Sequence, residues 1–328
     1  MFRALRAKWI SYQYETPFPP GTEDPVFQCL YEYTNGKWLP CSPNEGNASE
    51  ARHPPSLRIV SCNVDSNSPH PSQRLTALLA SLTESSMEPE ILLLQEVSHH
   101  ALSALTNNPW VRLNYYLTDV DTSCWRTHSD STSFGSITLL RKGHASFTPI
   151  TVYRIPYRSH MNRDALCCDI HLHSPSRTSK LFRVINVHLD SLVINPPFRP
   201  TQLAISADYL RAAGSGIIMG DFNAITPADQ SLIGELGLLD AWKVAVSNSI
   251  AHGETWGVQI EEPFPPGRLD RAALLRNSAL DGENNTTVTA EGMSLVQMRV
   301  LPCQTLNLDD EALYWSDHCG ILVDIHEA

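Results

Sequence analysis

The stretch Gly216-Ile217-Ile218-Met219-Gly220-Asp221-Phe222-Asn223 decides how this chain is read. Its first half is a short apolar run bounded by glycines, the pattern of a strand buried on both faces. The run ends in a carboxylate, which only accepts hydrogen bonds. Two residues later comes a carboxamide, which both accepts and donates. Ligands in α/β sheets are handled at strand ends. An Asp-x-Asn pair at such an end suits a divalent cation and a water held near a phosphate. The same pair can also cap a turn through side-chain to backbone bonds. The choice between these readings depends on how the other strands end.

Upstream, Leu57 to Asn63 reads as a strand, and Leu75, Leu78, Leu79 and Leu82 predict a helix over 72–84. Ile91 to Glu96 is a second buried strand, followed by a short helix from Ser98, a strand over Arg112–Leu117 and a polar loop over 119–133. Alternating runs at 135–141, 145–155, 165–173 and 181–188 read as antiparallel strands, because no helical pattern separates them. Leu203, Ala207 and Leu210 mark a helix over 199–213, and Pro227 opens another. Strands follow at 269–275, 295–301 and 319–325, with a polar loop around Asn284-Asn285. Ahead of this pattern, residues 1–26 are irregular and Pro-rich, 27–41 form a hairpin across Asn35-Gly36, and 42–56 read as a polar linker. The expected division is an accessory segment over 1–55 and a catalytic domain over 56–328. The element order predicts an α/β fold whose mixed, largely antiparallel sheets are covered by helices.

Composition narrows the function. The chain has 328 residues, 42% hydrophobic and 18% charged, enough for a sizeable core. Its net charge of -11 argues against a general nucleic-acid scavenger, since such binding needs many phosphate-neutralising cations. A local basic groove remains compatible with that total. The 8 cysteines are scattered without a C-x-x-C pair, so they read as reduced thiols. No apolar run approaches the roughly 18 residues of a membrane span. The expectation is an intracellular protein, nuclear or cytoplasmic, with no membrane partner.

The strand ends share one chemistry. Asn63 ends the first strand and Glu96 the second. His188, followed by Asp190, ends the run over 181–188. Asp221 and Asn223 end the opening stretch. Asp270 starts a late strand within Arg268-Leu269-Asp270-Arg271, and Asp317-His318 precede the last one. Singly, each has an ordinary role as a turn cap, a satisfied sheet histidine or a surface ion-pair partner. Six such ends in one sheet system suggest one shared rim.

Six strings carry a resemblance: SCNVD at 61–65, LLLQEV at 92–97, INVHLDS at 185–191, GDFN at 220–223, RLDR at 268–271 and SDH at 316–318. In this order they resemble the endonuclease/exonuclease/phosphatase superfamily of Mg²⁺-dependent phosphoesterases, over residues 57–328. The resemblance implies a four-layer α/β/β/α sandwich of two mixed, mainly antiparallel sheets flanked by helices. It also implies Mg²⁺, with Mn²⁺ as a substitute. Glu96 is then the principal metal ligand, with Asn63 nearby and Asp317 as a further partner. Asp221 activates the water, and Asn223 holds water and phosphate. His318 contacts a phosphate oxygen, Asp270 fixes the His318 ring, and His188 is a second phosphate donor. Arg163, Arg271 and Ser191 fall to substrate binding, and Trp256 to base stacking.

Within the superfamily, MNRDALCCDI at 161–170, HLDS at 188–191 followed by Arg199 and Gln202, and GETWG at 253–257 are similar to the tyrosyl-DNA phosphodiesterase group. Those enzymes release tyrosine from DNA 5′-phosphates. The chain departs from that group at Asn162, where the group has Gly, and at Gly257, where it has Asp. It departs again at Ala224-Ile225-Thr226, where the group continues with basic residues. The implied partner is a nucleic-acid 5′ end, single-stranded or frayed DNA, bound by a monomer. The alternatives are an abasic-site or structure-selective endonuclease, another nucleic-acid or lipid phosphoesterase, or a catalytically silent binding module. That every expected catalytic position is filled weighs against the last.

Overall fold

A computed structural model describes residues 5–6, 8–9, 16–19, 25–43, 55–84, 87–125, 134–174, 177–193, 195–245, 253–260, 262–275, 289–290, 293–308 and 311–327. Most of the irregular segment expected over 1–26 lies outside these residues. So do most of the linker expected over 42–56, the end of the 119–133 loop, and the Asn284-Asn285 loop.

The first strands are β1 (Val26–Gln28), β2 (Leu30–Thr34), β3 (Lys37–Cys41) and β4 (Ser56–Asn63). Next come α1 (Pro71–Glu84), β5 (Ile91–Ser98), α2 (His99–Asn107), α3 (Pro109–Asn114), β6 (Tyr115–Leu117), β7 (Phe134–Arg141), β8 (Phe147–Pro156), β9 (Asp164–Ser174) and β10 (Arg177–His188). Then follow α4 (Arg199–Ala213), β11 (Gly216–Asp221), a 3₁₀ turn (Pro227–Gln230), α5 (Leu232–Glu235), β12 (Leu238–Asp240), α6 (Ala241–Ala245) and β13 (Asp270–Leu275). The last strands are β14 (Thr289–Ala290), β15 (Met293–Leu301), β16 (Thr305–Leu308), β17 (Glu311–Tyr314) and β18 (Gly320–Glu327).

Two sheets result. One has seven strands in the order β1-β8-β9-β10-β11-β13-β12; the other has nine in the order β14-β15-β18-β4-β5-β7-β6-β2-β3. The pairs β4–β5 and β10–β11 are parallel, and the other described pairs are antiparallel. Parallel neighbours need a crossover, and α1 and α4 supply these two. Each crossover helix packs on the outer face of its own sheet. Leu75, Leu78 and Leu79 of α1 join Leu92 and Leu94 in one cluster, and Leu203, Ala207 and Leu210 of α4 join Ile185 and Ile218 in another. Between the sheets lies a third cluster, including Ile59, Leu93, Val184, Ile217, Met219 and Val323. The layers are therefore helix, sheet, sheet, helix, as the resemblance implies.

The opening stretch behaves as its pattern requires. All six residues of β11 are buried, with Ile217 and Met219 facing the other sheet and Ile218 facing α4. Gly220 has φ 148, and a Cβ there would lie 2.0 Å from the Val187 carbonyl oxygen. Only glycine lets β11 approach β10 so closely just before Asp221.

Local readings need correction in several places. The expected strand over Arg112–Leu117 is right for Tyr115–Leu117, which is β6, but Arg112–Asn114 close helix α3. Asn108 accepts from the backbone N–H groups of Trp110 (3.0 Å) and Val111 (3.2 Å), and Pro109 sits in the first turn. An N-cap followed by Pro outweighs the apolar run behind it. The helix opened by Pro227 is a one-turn 3₁₀ segment followed by the four-residue α5. The short β12 and the β16–β17 hairpin are absent from the sequence reading, since strands of three or four residues give too short a pattern. Residues 26–41 add edge strands to both sheets, β1 against β8 and β2 against β6.

Candidate active site

Strand register builds half of the site. His188 pairs with Asp221 across β10–β11, and Asp221 pairs with Asp270 across β11–β13. Three chemically active side chains therefore stand in one row at the end of the seven-stranded sheet. The nine-stranded sheet supplies Asn63 and Glu96 from the parallel pair β4–β5, and His318 from the turn before β18.

Glu96 reaches the rim through a bulge. Leu94 pairs with Ile137 and Val97 with Gly135, so two residues of β5 oppose one of β7. Glu96 has φ 56, a left-handed value that a glutamate adopts only under local constraint. Bulges re-aim side chains next to sites. Here the bulge turns Glu96 from the helix-facing side, where Leu92 and Leu94 point, toward the opposite sheet. Beneath it, a fully buried polar bridge ties the sheets together. Gln95 donates to Asn186 Oδ1 (2.7 Å), and Asn186 Nδ2 donates to the Ile137 carbonyl (3.1 Å). Asn223 is also left-handed, at φ 47. Its backbone N–H donates to Asp221 Oδ1 (2.8 Å) and its amide to the Leu189 carbonyl (3.0 Å).

The polar contacts form two linked groups. Asn63 Nδ2 donates to Glu96 Oε1 and to Asp221 Oδ2, each at 3.1 Å. His188 Nε2 stands 3.6 Å from Glu96 Oε1 and 3.5 Å from Asp221 Oδ2. Ser66 holds the other Glu96 oxygen through its hydroxyl, 2.8 Å, and its backbone N–H, 3.1 Å. On the far side of Asp221, His318 Nδ1 lies 2.8 Å from Asp270 Oδ2. Asp270 is completely buried, and its backbone N–H donates to the Thr255 hydroxyl oxygen. Asp317 accepts from the Trp256 indole at 3.2 Å. Among the described residues, the ligand atoms of Glu96, His188 and Asp221, and those of Asp221, Asp270 and His318, lie within 4.8 Å of one another. Asp221 is common to both groups.

Electrostatics separate the roles available to these groups. Burial, with Asp270 and Glu96 nearby, pushes Asp221 up to about 7 even though His318 opposes the shift. Burial disfavours charge on His318, but Asp270, Asp221 and Asp317 outweigh it and raise the imidazole well above its ordinary value. His188 moves the other way: burial, Arg163 and His318 push it well below, so it is neutral. Asp317 is raised, chiefly by burial. Burial also lowers the Arg163 guanidinium, against the pull of Glu96 and Asp221.

The remaining candidates sit around this centre. Arg163 lies over the Phe134 ring at 5.0 Å and lines a pocket with Trp125, Phe134, Met161 and His188. Ser191 reaches Met161 Sδ at 3.2 Å beside that pocket. Trp256 bridges His318 and Gly267 through backbone pairing. Arg271 is brought elsewhere. Strand alternation turns it away from Asp270's side, where it bonds Gln230 and donates to the Arg268 carbonyl (3.1 Å). Burial and Arg268 lower its pKa to about 10. Two departures from the group pattern have a backbone explanation: Asn162 (φ 57) and Gly257 (φ 70) both sit in the left-handed region, which Gly and Asn adopt readily. Sequence reasoning missed Ser66 and the bridge of Gln95 and Asn186. Their partners are distant in the chain, so no local pattern announces them.

A two-sheet sandwich with a carboxylate- and histidine-lined cleft at the strand ends defines the class of protein. The model of the Endonuclease/Exonuclease/phosphatase family matches residues 60–318, and the chain belongs to that family. No curated protein sequence matches it. Among solved structures, it is similar to humanized D. rerio TDP2 carrying 14 mutations, with TM-score 0.60, 20% identity, and coverage of 82% of this chain and 98% of that one. D. rerio TDP2 complexed with single strand DNA product gives TM-score 0.60, 18% identity, and coverage of 82% and 98%. The human Nocturnin catalytic domain with bound sulfate gives TM-score 0.55, 18% identity, and coverage of 85% and 96%. At these identities the likeness is one of fold.

Proposed function

We propose that this chain is a divalent-metal-dependent phosphodiesterase acting on nucleic acid, and that its substrate is a DNA 5′ end carrying a phosphotyrosyl adduct. The observation that carries this reading is the pair of polar groups joined at Asp221. One group is rich in oxygen donors. The other is a histidine held protonated by a buried carboxylate.

The donor set fits a hard cation. Glu96, Asp221, Asp270 and Asp317 contribute four carboxylates against two cations, Arg163 and the protonated His318; fully ionised they would leave a surplus of two negative charges, and the raised Asp221 and Asp317 register that strain. Buried carboxylates in such surplus are costly unless a cation is present. Mg²⁺ takes oxygen ligands, uses only one or two carboxylates and keeps several waters. Glu96 and Asn63 would hold it, with Asp317 acting through water. When bound, such an ion neutralises phosphate charge and stabilises the leaving oxygen.

The chain's own residues supply the remaining work. Asp221, whose proton is easily exchanged near neutral pH, orients the attacking water and takes its proton. Asn63 and Asn223 fix the two Asp221 oxygens, so the carboxylate cannot rotate away. His318 presents its Nε2–H to a non-bridging phosphate oxygen, and Asp270 holds that ring by the opposite nitrogen. Neutral His188 offers one further donor, and Arg163 pairs with phosphate. The D. rerio TDP2 structure with a single-strand DNA product supports the nucleic-acid part of the reading.

A turnover panel in Mg²⁺ tests it, using 5′-phosphotyrosyl single-stranded DNA, abasic duplex, poly(A) and a lipid phosphodiester. The expected result is cleavage of the tyrosyl substrate above the others. Turnover of a different member alone would remove the specific substrate and leave the phosphodiesterase. No turnover of any member would remove both.

A further inference from the structure

One rim of the cleft is built with more care than a surface loop needs. Residues 158–163 and 189–193 run side by side, leading outward from Arg163 and His188, with 195–198 leading on into α4. Three nearly buried polar side chains fasten them. Asp190 accepts from the Ser159 hydroxyl (2.5 Å) and from the His160 N–H (3.3 Å). Gln202 donates to the Arg158 carbonyl (3.1 Å) and accepts from the Asp190 N–H (3.0 Å). Arg199 is ion-paired to Asp229 and donates to the carbonyls of Asp190 and Leu192, each at 2.9 Å. Asp190, Gln202 and Arg199 are exposed by only 2%, 1% and 2%. Buried charge spent on an exposed loop makes that loop stiff.

The stiff loop displays apolar and flat groups. Leu192 and Val193 are 63% and 81% exposed. Leu192 is held at φ 69, a left-handed conformation that strains a bulky residue. The Phe198 ring lies 4.9 Å from the exposed His160 ring at an angle of 34°, and the Arg158 guanidinium sits 5.3 Å over the same ring. This makes a ready-formed stack of cation, phenyl and imidazole. It is continuous with the cleft, because Met161 touches Ser191 and lines the same pocket as Arg163 and His188.

We infer that this shelf is a nucleobase subsite, which takes the base of a nucleotide flanking the scissile phosphate by stacking and apolar contact. The inference rests on the nucleic-acid reading of the cleft given above. Three features select the occupant. Flat aromatic and guanidinium faces suit bases of any sequence. The strand that enters the cleft must leave over a rim, and this rim adjoins Arg163. At the turn after Asn223 stand Ala224, Ile225 and Thr226 rather than cations, so grip on the strand falls to base faces more than to phosphates. A stiff shelf also loses little entropy on binding. The expected signature is a shallow salt dependence, because few phosphate-neutralising cations take part.

Binding alone tests the inference. Fluorescein-labelled single-stranded oligothymidylates of one to four nucleotides are titrated into the full chain and followed by anisotropy. Affinity should rise as the strand lengthens past one nucleotide. Phe198→Ala should remove about tenfold of that gain, about 1.4 kcal/mol, and Phe198→Tyr should retain it. Leu192→Gly relieves the left-handed strain, so its melting temperature should hold or rise while oligonucleotide affinity falls. That combination separates a binding role from a packing role. An unchanged length dependence in all three variants would overturn the subsite, as would capture of phosphatidylcholine vesicles in place of oligonucleotide. Turnover of mononucleotide p-nitrophenyl esters, measured in parallel, reports on the cleft itself. Its loss with length-dependent binding intact would count against the phosphodiesterase reading and for the shelf.

Discussion

The middle and the C-terminal end of β10 bury charge in opposite ways. In the middle, Arg183 and Asp169 pair across β10–β9 with both side chains at 0% exposure. Two contacts of 2.6 and 2.7 Å join guanidinium and carboxylate, and the remaining guanidinium nitrogen donates to the Tyr209 carbonyl at 2.6 Å. Every charge has its counterpart there. At the C-terminal end, His188 stands in a row with Asp221 and Asp270, carboxylates outnumber cations, and one Asp270 oxygen has no hydrogen-bond partner among the described residues. A balanced buried pair fixes a structure. An unbalanced one holds free energy that a metal ion and a phosphate can release. The same strand therefore serves as frame in its middle and as chemical site at its C-terminal end.

Breaking each region should produce opposite phenotypes. The largest effect expected is on catalysis: Asp221→Asn should lower phosphodiester turnover by about a thousandfold or more, because the water loses its base. Circular dichroism and melting should show the fold intact. At the balanced pair in mid-strand, Arg183→Leu should cost about 3–5 kcal/mol by stranding Asp169, while turnover per folded molecule stays near wild type. Adding Asp169→Leu should recover much of that loss, since the uncompensated charge is then gone. Chemical denaturation of the two variants measures both outcomes.

The smallest effect concerns pH and is the most diagnostic. Asp221 has a folded pKa of about 7, raised from an ordinary value of 3.8. Between those values the folded state holds a proton that the unfolded state has released. The stability of the metal-free protein should therefore fall as pH rises from about 4 to 7. Asp221→Asn should flatten that fall and, at pH 7.5, stabilise the metal-free protein by about 1–3 kcal/mol. Mg²⁺ should restore wild-type stability in the same range, because it favours the ionised carboxylate. A wild-type profile that rises across this window would show that the site is not frustrated.

Strand ends made most of this legible in the sequence. An apolar run that stops at a carboxylate, an amide or an imidazole declares both its own burial and the chemistry at its edge. Asn63, His188, Asp221 and Asp270 could be placed for that reason. Glu96 reads as the end of its strand, but β5 runs on to Ser98, and strict alternation puts Glu96 with Leu92 and Leu94 on the helix side. Only the bulge and its left-handed backbone bring it round, and no periodicity encodes that. Arg271 shows the converse, since alternation with Asp270 turns it out of the cleft. Helix α3 was signalled by Asn108-Pro109, yet the apolar run behind it reads as a strand. The polar bridge of Gln95 and Asn186 joins two sheets across 91 positions of chain, a separation that local pattern cannot span.

The most direct measurement is turnover of thymidine 5′-monophosphate p-nitrophenyl ester as Mg²⁺ is titrated, for the wild type and for Asp221→Asn and Glu96→Gln. The wild type should be silent in chelator and saturate with metal. Glu96→Gln should need at least about tenfold more Mg²⁺, by loss of the charged ligand. Asp221→Asn should stay near background at any metal concentration. Full wild-type turnover in chelator, or a metal titration unmoved by Glu96→Gln, would contradict the assignment of this cleft as a metal-dependent phosphodiesterase centre.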